Sequence, residues 1–202
     1  MECVTEIRKL SGGRSLVLLE SGLQFPLYAR ELSDYGLEEG NFVQEETVSR
    51  IMDEILIKRA RLRAMHLLEQ MSRTEFQLRE KLRQSYYPDQ IIEDAIQYVK
   101  GYHYIDDLRY AMSYLENHAS VKSLRQMEQE LYAKGVAKEL VEQAVSESEL
   151  PDEMSQILAL LEKKHYDLSC DDRKEQQRMY GYLMRRGYSR SAISSALRQV
   201  EE

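Results

Sequence analysis

The side chains best able to do chemistry in this chain are four histidines, two cysteines and an adjacent pair of aspartates, Asp106 and Asp107. His66, His103, His118 and His165 include no two at chelating i, i+4 spacing, and no HExxH occurs. Cys3 and Cys170 lie at opposite ends without metal-ligand spacing, which argues for a reduced, intracellular protein with no disulfide framework. No GxxxxGK[ST] loop or GxSxG elbow is present. Asp106 and Asp107 could act as a metal or acid/base pair. A helical pattern follows them, however, and acids at a helix start accept backbone N–H bonds and meet the positive dipole end. Arg109 is then placed to pair with a carboxylate of a neighbouring helix. We therefore expect no enzyme, no cofactor and no metal.

The basic residues are more informative. The 28 Lys and Arg stand against 35 Asp and Glu, a formal net charge of −7. That balance counts against a freestanding nucleic-acid coat protein. The charge is unevenly spread: residues 58–83 carry net +5, while the segments on either side carry −6 each. Within the basic block Lys58, Arg59 and Arg63 can share one helical side, and Arg79 and Arg83, four apart, share a side of the next helix near Lys81. Arg185, Arg186 and Arg190 form a smaller group late in the chain. A solvated face is one reading of such runs. The sharper one is a positive patch for DNA phosphate or an acidic protein surface.

Two kinds of element would position these groups. Six of the Gly and Pro residues fall in the first 40 positions, where Ser-Gly steps separate short β-prone runs. Residues 1–45 read as an antiparallel unit of about three strands, with a helical turn near Arg30–Tyr35. Such a sheet is marginal alone and should dock on something. From Glu46 the period turns helical, with Thr47 as N-cap and Val48, Ile51, Met52, Ile55, Leu62 and Met65 as one apolar stripe.

The helical part repeats. Leu82, Leu131 and Leu183 anchor three similar stretches, in which Ala95, Ala144 and Ala196 also align. Each stretch is a helix, a turn and a second helix, and each follows a further helix, at Arg59–Gln70, Asp107–Asn117 and Asp152–Lys164. The first helix of the pair ends at Gly135 or Gly187, with Tyr86 in the same slot of the first copy. Pro88 and Pro151 suit first helical positions and Ser189 an N-cap. The segments are then an extension at 1–45 and three-helix repeats at 46–101, 102–150 and 151–202. A unit of about 50 residues buries little core, so stacking into an elongated array is expected.

At this level the sequence resembles the RecX family, bacterial regulators of the RecA recombinase. The resemblance rests on the repeats and on a junction in which Tyr104, Ile105, Asp106, Asp107, Arg109, Tyr110 and Ala111 fit the family's strongest motif. Ser72, Glu75, Lys81 and Leu82 fit its first repeat, and Tyr35-Gly36-Leu37 with Glu39-Gly40 is similar to the extension of Gram-positive members. The resemblance implies a mainly α protein that binds RecA in the groove of its nucleoprotein filament, suppresses ATP hydrolysis and strand exchange, and serves DNA repair, homologous recombination and the SOS response. It implies no chemistry of its own. No apolar run or signal core points to a membrane or to secretion, so a cytoplasmic monomer is expected, with RecA and its filament as partners and direct DNA contact weak at most. Two other readings stay open: an autonomous helix-turn-helix-like DNA-binding protein and a helical-repeat scaffold.

Overall fold

Turn-rich sequence in the first 45 residues closes a small antiparallel sheet. In the computed structural model, which describes residues 1–167 and 172–198, strands β1 (Glu2–Lys9), β2 (Arg14–Leu19) and β3 (Gln24–Tyr28) follow the β-prone runs. A fourth strand, β4 (Phe42–Val43), escapes sequence reading because two residues show no period. It forms because helix α1 (Ala29–Asp34) and turns at Gly36 and Gly40 return the chain to β1, where Val4 and Asn41 bond through their backbones at 2.9 Å. The sheet order is β3-β2-β1-β4. Its inner residues Val4, Val17, Leu19, Phe25 and Leu27 share one core with Ile51, Leu56, Leu78 and Ile92 of the helices that follow. The sheet thus docks on the first repeat, as its small size demands.

Helix α2 (Glu45–Arg50) starts two residues before Thr47, with Gln44 as N-cap, so Thr47 lies inside the first turn. Glu45 and Glu46 meet the dipole there. The helix then widens to π-type bonding over Ile51–Leu56 and continues as α3 (Ile57–Gln70). This corrects the apolar stripe. A π turn accommodates one extra residue, so the buried series runs Val48, Ile51, Leu56, Ala60, Ala64 and Leu67. Leu62, expected inside, is 67% exposed.

Three three-helix units follow from α3. The first adds α4 (Glu75–Arg83) and α5 (Asp89–Gly101); the second is α6 (Asp107–His118), α7 (Leu124–Ala133) and α8 (Lys138–Glu147); the third is α9 (Glu153–Lys163), α10 (Arg173–Arg185) and α11 (Arg190–Arg198). The anchors Leu82, Leu131 and Leu183 and the alanines Ala95, Ala144 and Ala196 are fully buried. The chain forms two compact units, Met1–Asp106 and a second that begins at Asp107.

The turn between paired helices is the same in all three repeats. Tyr86, Gly135 and Gly187 take left-handed φ of 66°, 80° and 86°. In each, the next residue, Tyr87, Val136 or Tyr188, donates its N–H back to Leu82, Leu131 or Leu183 and packs its side chain against the helix end. This double-bonded C-terminal turn satisfies carbonyls that the helix leaves open. Two starts differ from expectation. Pro88 is the residue before α5, and Asp152, not Pro151, caps α9 by accepting from Ser155 N at 2.9 Å. The extended cap residue therefore lies one position later than the proline rule placed it before α5 and two positions later before α9. Ser189 accepts from Ala192 N as expected of an N-cap. Thr74, fully buried, caps α4 in a reciprocal pair with Gln77.

Candidate functional site

The basic block separates into two sets once its neighbours are known. On α3, Arg59 turns inward: it pairs with Glu31, donates to Pro26 O at 3.3 Å and lies 4.7 Å over the Tyr28 ring. Lys58 and Arg63 remain exposed and form no ion pair among the described residues. Leu62, displaced outward by the π turn, lies on the same exposed face. Arg61 is held by Asp94 at 2.6 and 2.8 Å and stacks on Tyr98. The Asp94 bond keeps its guanidinium above its ordinary pKa.

On α4, Arg79 bridges Glu75 at 2.7 Å and Glu93 at 2.8 Å, and Lys100 reaches Glu75 at 2.8 Å. These bonds sew α4 to α5. Burial alone would push Glu75 up, but Lys100 and Arg79 outweigh it and hold the carboxylate below its usual range. Arg83 pairs with Glu80 and Asp89 at 2.8 and 3.1 Å, while Lys81 is exposed and reaches only Gln84. The +5 of the block is therefore largely met by carboxylates from outside it: Glu31, Asp89, Glu93 and Asp94. Lys58, Arg63 and Lys81 are its exposed cations with no carboxylate partner among the described residues.

The later group divides the same way. Arg185 and Arg190 are exposed. Arg186 is structural: it donates to Val121 O at 2.6 Å, lies over Tyr182 at 4.9 Å, and its carbonyl accepts from Ser123 Oγ at 2.5 Å. It thereby ties the third three-helix unit to the second.

The junction motif joins two cores. Ile105 is buried in the first and Ala111 in the second. Asp106 precedes α6 and Asp107 opens it, at the positive end of the dipole. Arg109 is exposed, and Tyr110 stacks on Tyr114 at 6.4 Å. Tyr104, 54% exposed, stacks at 5.9 Å on Tyr102, 59% exposed, which in turn meets Tyr98 at 5.0 Å.

Sequence reading gave no sign of a polar cluster in the second unit. Lys122 Nζ donates to Glu130 at 2.5 Å and to Tyr114 Oη at 2.9 Å, and the Tyr114 hydroxyl also donates to Glu130. Burial works against the Glu130 charge, but these donors and Gln126 hold its pKa down to about 2. Its members come from α6, a turn and α7, with no shared spacing to reveal them.

Among the described residues no three His, Cys, Asp or Glu side chains are grouped to hold a metal ion. His118 packs on the Tyr114 ring, and His103 and His165 occupy left-handed helix ends. Cys3 is a free thiol, and Cys170 lies outside the described residues. Nor is any described helix long and apolar enough to cross a membrane.

Comparison with known proteins gives this arrangement a family. Models of the first, second and third three-helix domains of RecX match residues 60–98, 106–145 and 152–197. A Regulatory protein RecX from Vibrio parahaemolyticus is 35% identical over 141 residues, 69% of this chain and 90% of that protein. One from Clostridium botulinum is 25% identical over 198 residues, covering 96% of this chain and 93% of that one. A crystal structure of regulatory protein RecX shares the fold with a TM-score of 0.63 over 97% of this chain and 98% of its own, at 22% identity. That of RecX from Lactobacillus salivarius gives 0.61 over 70% and 94%, also at 22% identity. With all three domains present in order and relatives matched along nearly their whole length, this chain belongs to the RecX family of regulatory proteins.

Proposed function

We propose that this protein binds a RecA recombinase on its DNA filament and restrains ATP hydrolysis, strand exchange and filament growth, as a cytoplasmic monomer acting in recombination and repair without a cofactor. The observation that carries the reading is the complete set of three RecX domains in one chain. The exposed face of α3 supports it. Lys58, Leu62 and Arg63 combine positive charge with an apolar side chain, a composition suited to an acidic protein surface beside DNA. Lys81, Arg185 and Arg190 extend the positive contacts. Arg59, Arg79, Arg83 and Arg186 serve the reading indirectly, by fixing the elements that present the others.

The test is the ssDNA-dependent ATPase of RecA titrated with this protein, together with co-pelleting on RecA filaments. Inhibition by the intact protein, lost in Lys58→Glu/Arg63→Glu at unchanged thermal stability, is the expected result. No inhibition by the intact protein would refute the reading; full inhibition by the double variant would remove α3 from it. Direct DNA binding is the second reading, favoured by the exposed Tyr102–Tyr104 stack, since a tyrosine face accepts an unstacked base. A gel shift on bare single-stranded DNA at physiological salt, abolished by Tyr102→Ala, would favour it.

A further inference from the structure

Three arginines of the first unit gather around two tyrosines. Arg14, the first residue of β2, stands directly opposite Tyr28, the last residue of β3. Side chains of such a cross-strand pair leave the sheet on one face and lie side by side. Arg59 of α3 lies over the Tyr28 ring at 4.7 Å, and Arg63 follows one helical turn later on the same side of α3. Tyr87, from the turn between α4 and α5, closes the group. Burial raises its hydroxyl above the ordinary tyrosine pKa, and Arg59, Arg14 and Arg63 act against that rise, so all three charges stand near the oxygen.

These charges are not balanced. Glu31 is the carboxylate that pairs with the group, and both its oxygens are taken: one by Arg59, the other by Tyr28 N at 2.7 Å. Arg14 is half-buried and Arg63 exposed, yet neither guanidinium makes an ion pair or a hydrogen bond among the described residues. The Tyr87 hydroxyl has no partner either. Its residue is 6% exposed, but its oxygen is not among the unpartnered hydroxyls sealed from solvent, which are those of Ser148 and Tyr188. A half-buried cation without hydrogen bonds is destabilising, and like charges brought together add repulsion.

A surplus of two positive charges, presented on planar forks of donors beside an open hydroxyl, fits an anion with two charges on closely set oxygens. A terminal phosphate is such a group. A phosphomonoester carries about −1.5 to −2 at neutral pH and three strong acceptor oxygens, and guanidinium forks bind phosphate in bidentate fashion. A carboxylate brings a single charge and leaves half of the surplus. We propose that Arg14, Arg63 and the Tyr87 hydroxyl form a binding site for a phosphomonoester dianion, with Arg59 and Tyr28 as its fixed wall. Arg14 and Arg63 each donate to the phosphate, and Tyr87 donates a further bond. The same chemistry is offered by inorganic phosphate, by a free nucleotide and by the 5′ end of a DNA strand. The site shares Arg63 with the α3 face proposed to meet RecA, but its test needs no RecA and stands or falls separately.

The experiment uses the full chain, ¹⁵N-labelled, in a phosphate-free buffer at constant ionic strength. Methyl phosphate should give saturable shifts at the amides of Arg14, Ser15, Tyr28, Arg63 and Tyr87. Dimethyl phosphate, a monoanion of similar shape, should bind about tenfold more weakly. Arg14→Gln should weaken methyl phosphate about tenfold without lowering the melting temperature, because Arg14 bonds nothing in the fold. Tyr87→Phe keeps the ring in the core and should weaken it about threefold; Arg14→Gln keeps the test readable if that variant is poorly folded. An oligothymidylate with a 5′-phosphate, set against the same strand with a 5′-hydroxyl, separates the sources: preference for the phosphorylated strand assigns the site to DNA ends, and equal binding assigns it to free phosphates. Absence of saturable shifts with methyl phosphate, equal affinity for dimethyl phosphate, or unchanged affinity in both variants would each overturn the proposal.

Discussion

Replacing Gly187 with alanine tests how the second unit is held together. Gly187 has φ of 86°, and a Cβ built there would stand 2.8 Å from Ser123 Oγ and 3.8 Å from Arg125 Cβ. The first penalty is conformational: a left-handed residue with a Cβ costs roughly 1–2 kcal/mol. The second is positional. Ser123 is 1% exposed, caps α7 by accepting from Gln126 N at 3.3 Å, and donates to Arg186 O at 2.5 Å. It cannot retreat without losing the cap, worth about 1 kcal/mol. Together the two give a destabilisation of about 2–3 kcal/mol. For a domain of this size that lowers the melting transition by roughly 10–20 °C. Gly36→Ala is the control, since Gly36 also has positive φ (63°) but meets nothing within 4 Å. It should show the conformational penalty alone, about 1–2 kcal/mol. Calorimetry on the full chain reads both. Ser123→Ala should relieve part of the Gly187→Ala effect, making the double variant less than additive. If Gly187→Ala cost no more than Gly36→Ala, the close approach to Ser123 would not constrain the fold and the reasoning would fail.

Other outcomes follow from the ion pairs and caps. Glu130, held down to about 2, should stabilise the fold fully above the ordinary carboxylate range and lose that contribution as pH falls from about 4.5 toward 2. With its side chain 33% exposed, solvent screening limits the effect to about 1 kcal/mol. Denaturant unfolding should show the intact protein ahead of Glu130→Gln at pH 6 and level with it near pH 2. Arg79→Ala leaves the half-buried Glu75 and its partner Glu93 short of a cation and should cost about 1–2 kcal/mol, read in the same assay. Asp107→Ala removes an acid from the first turn of α6 and should cost about 0.5–1 kcal/mol by calorimetry while leaving RecA ATPase inhibition intact. Loss of inhibition at unchanged stability would make the motif a contact surface instead.

Helix ends were readable because they depend on local sterics. Gly135 and Gly187 mark left-handed turns in any context, and the aligned Leu and Ala positions carried the pattern to Tyr86, which adopts the same turn with φ of 66° despite its Cβ. The α3 face was misjudged because periodicity assumes an unbroken α-helix. One π turn at Ile51–Leu56 moved the buried series by a residue, brought Leu62 out and made Leu56 core. β4 was missed because it exists through pairing with β1, not through any preference of Phe42 and Val43. Residue type alone does not single out Thr74 as the cap of α4, since Ser72 stands two residues earlier; its burial and its reciprocal bonds with Gln77 exist only in the folded chain.

Three repeated helical units, an antiparallel extension and family membership are all encoded in patterns a few residues long. Turn chemistry, helical period and helix-end sterics act over such distances, so a linear reading captures them. The fate of the charges is not encoded that way. Arg59 meets Glu31 and Arg61 meets Asp94 across 28 and 33 residues, and Arg186 meets the Val121 carbonyl across 65. Coulomb attraction and desolvation depend on distance in space, and that distance exists only once the helices have packed. Folding thus turns a run of eight basic residues at 58–83 into an internal framework with only a few cations, Lys58, Arg63 and Lys81 foremost, left facing water.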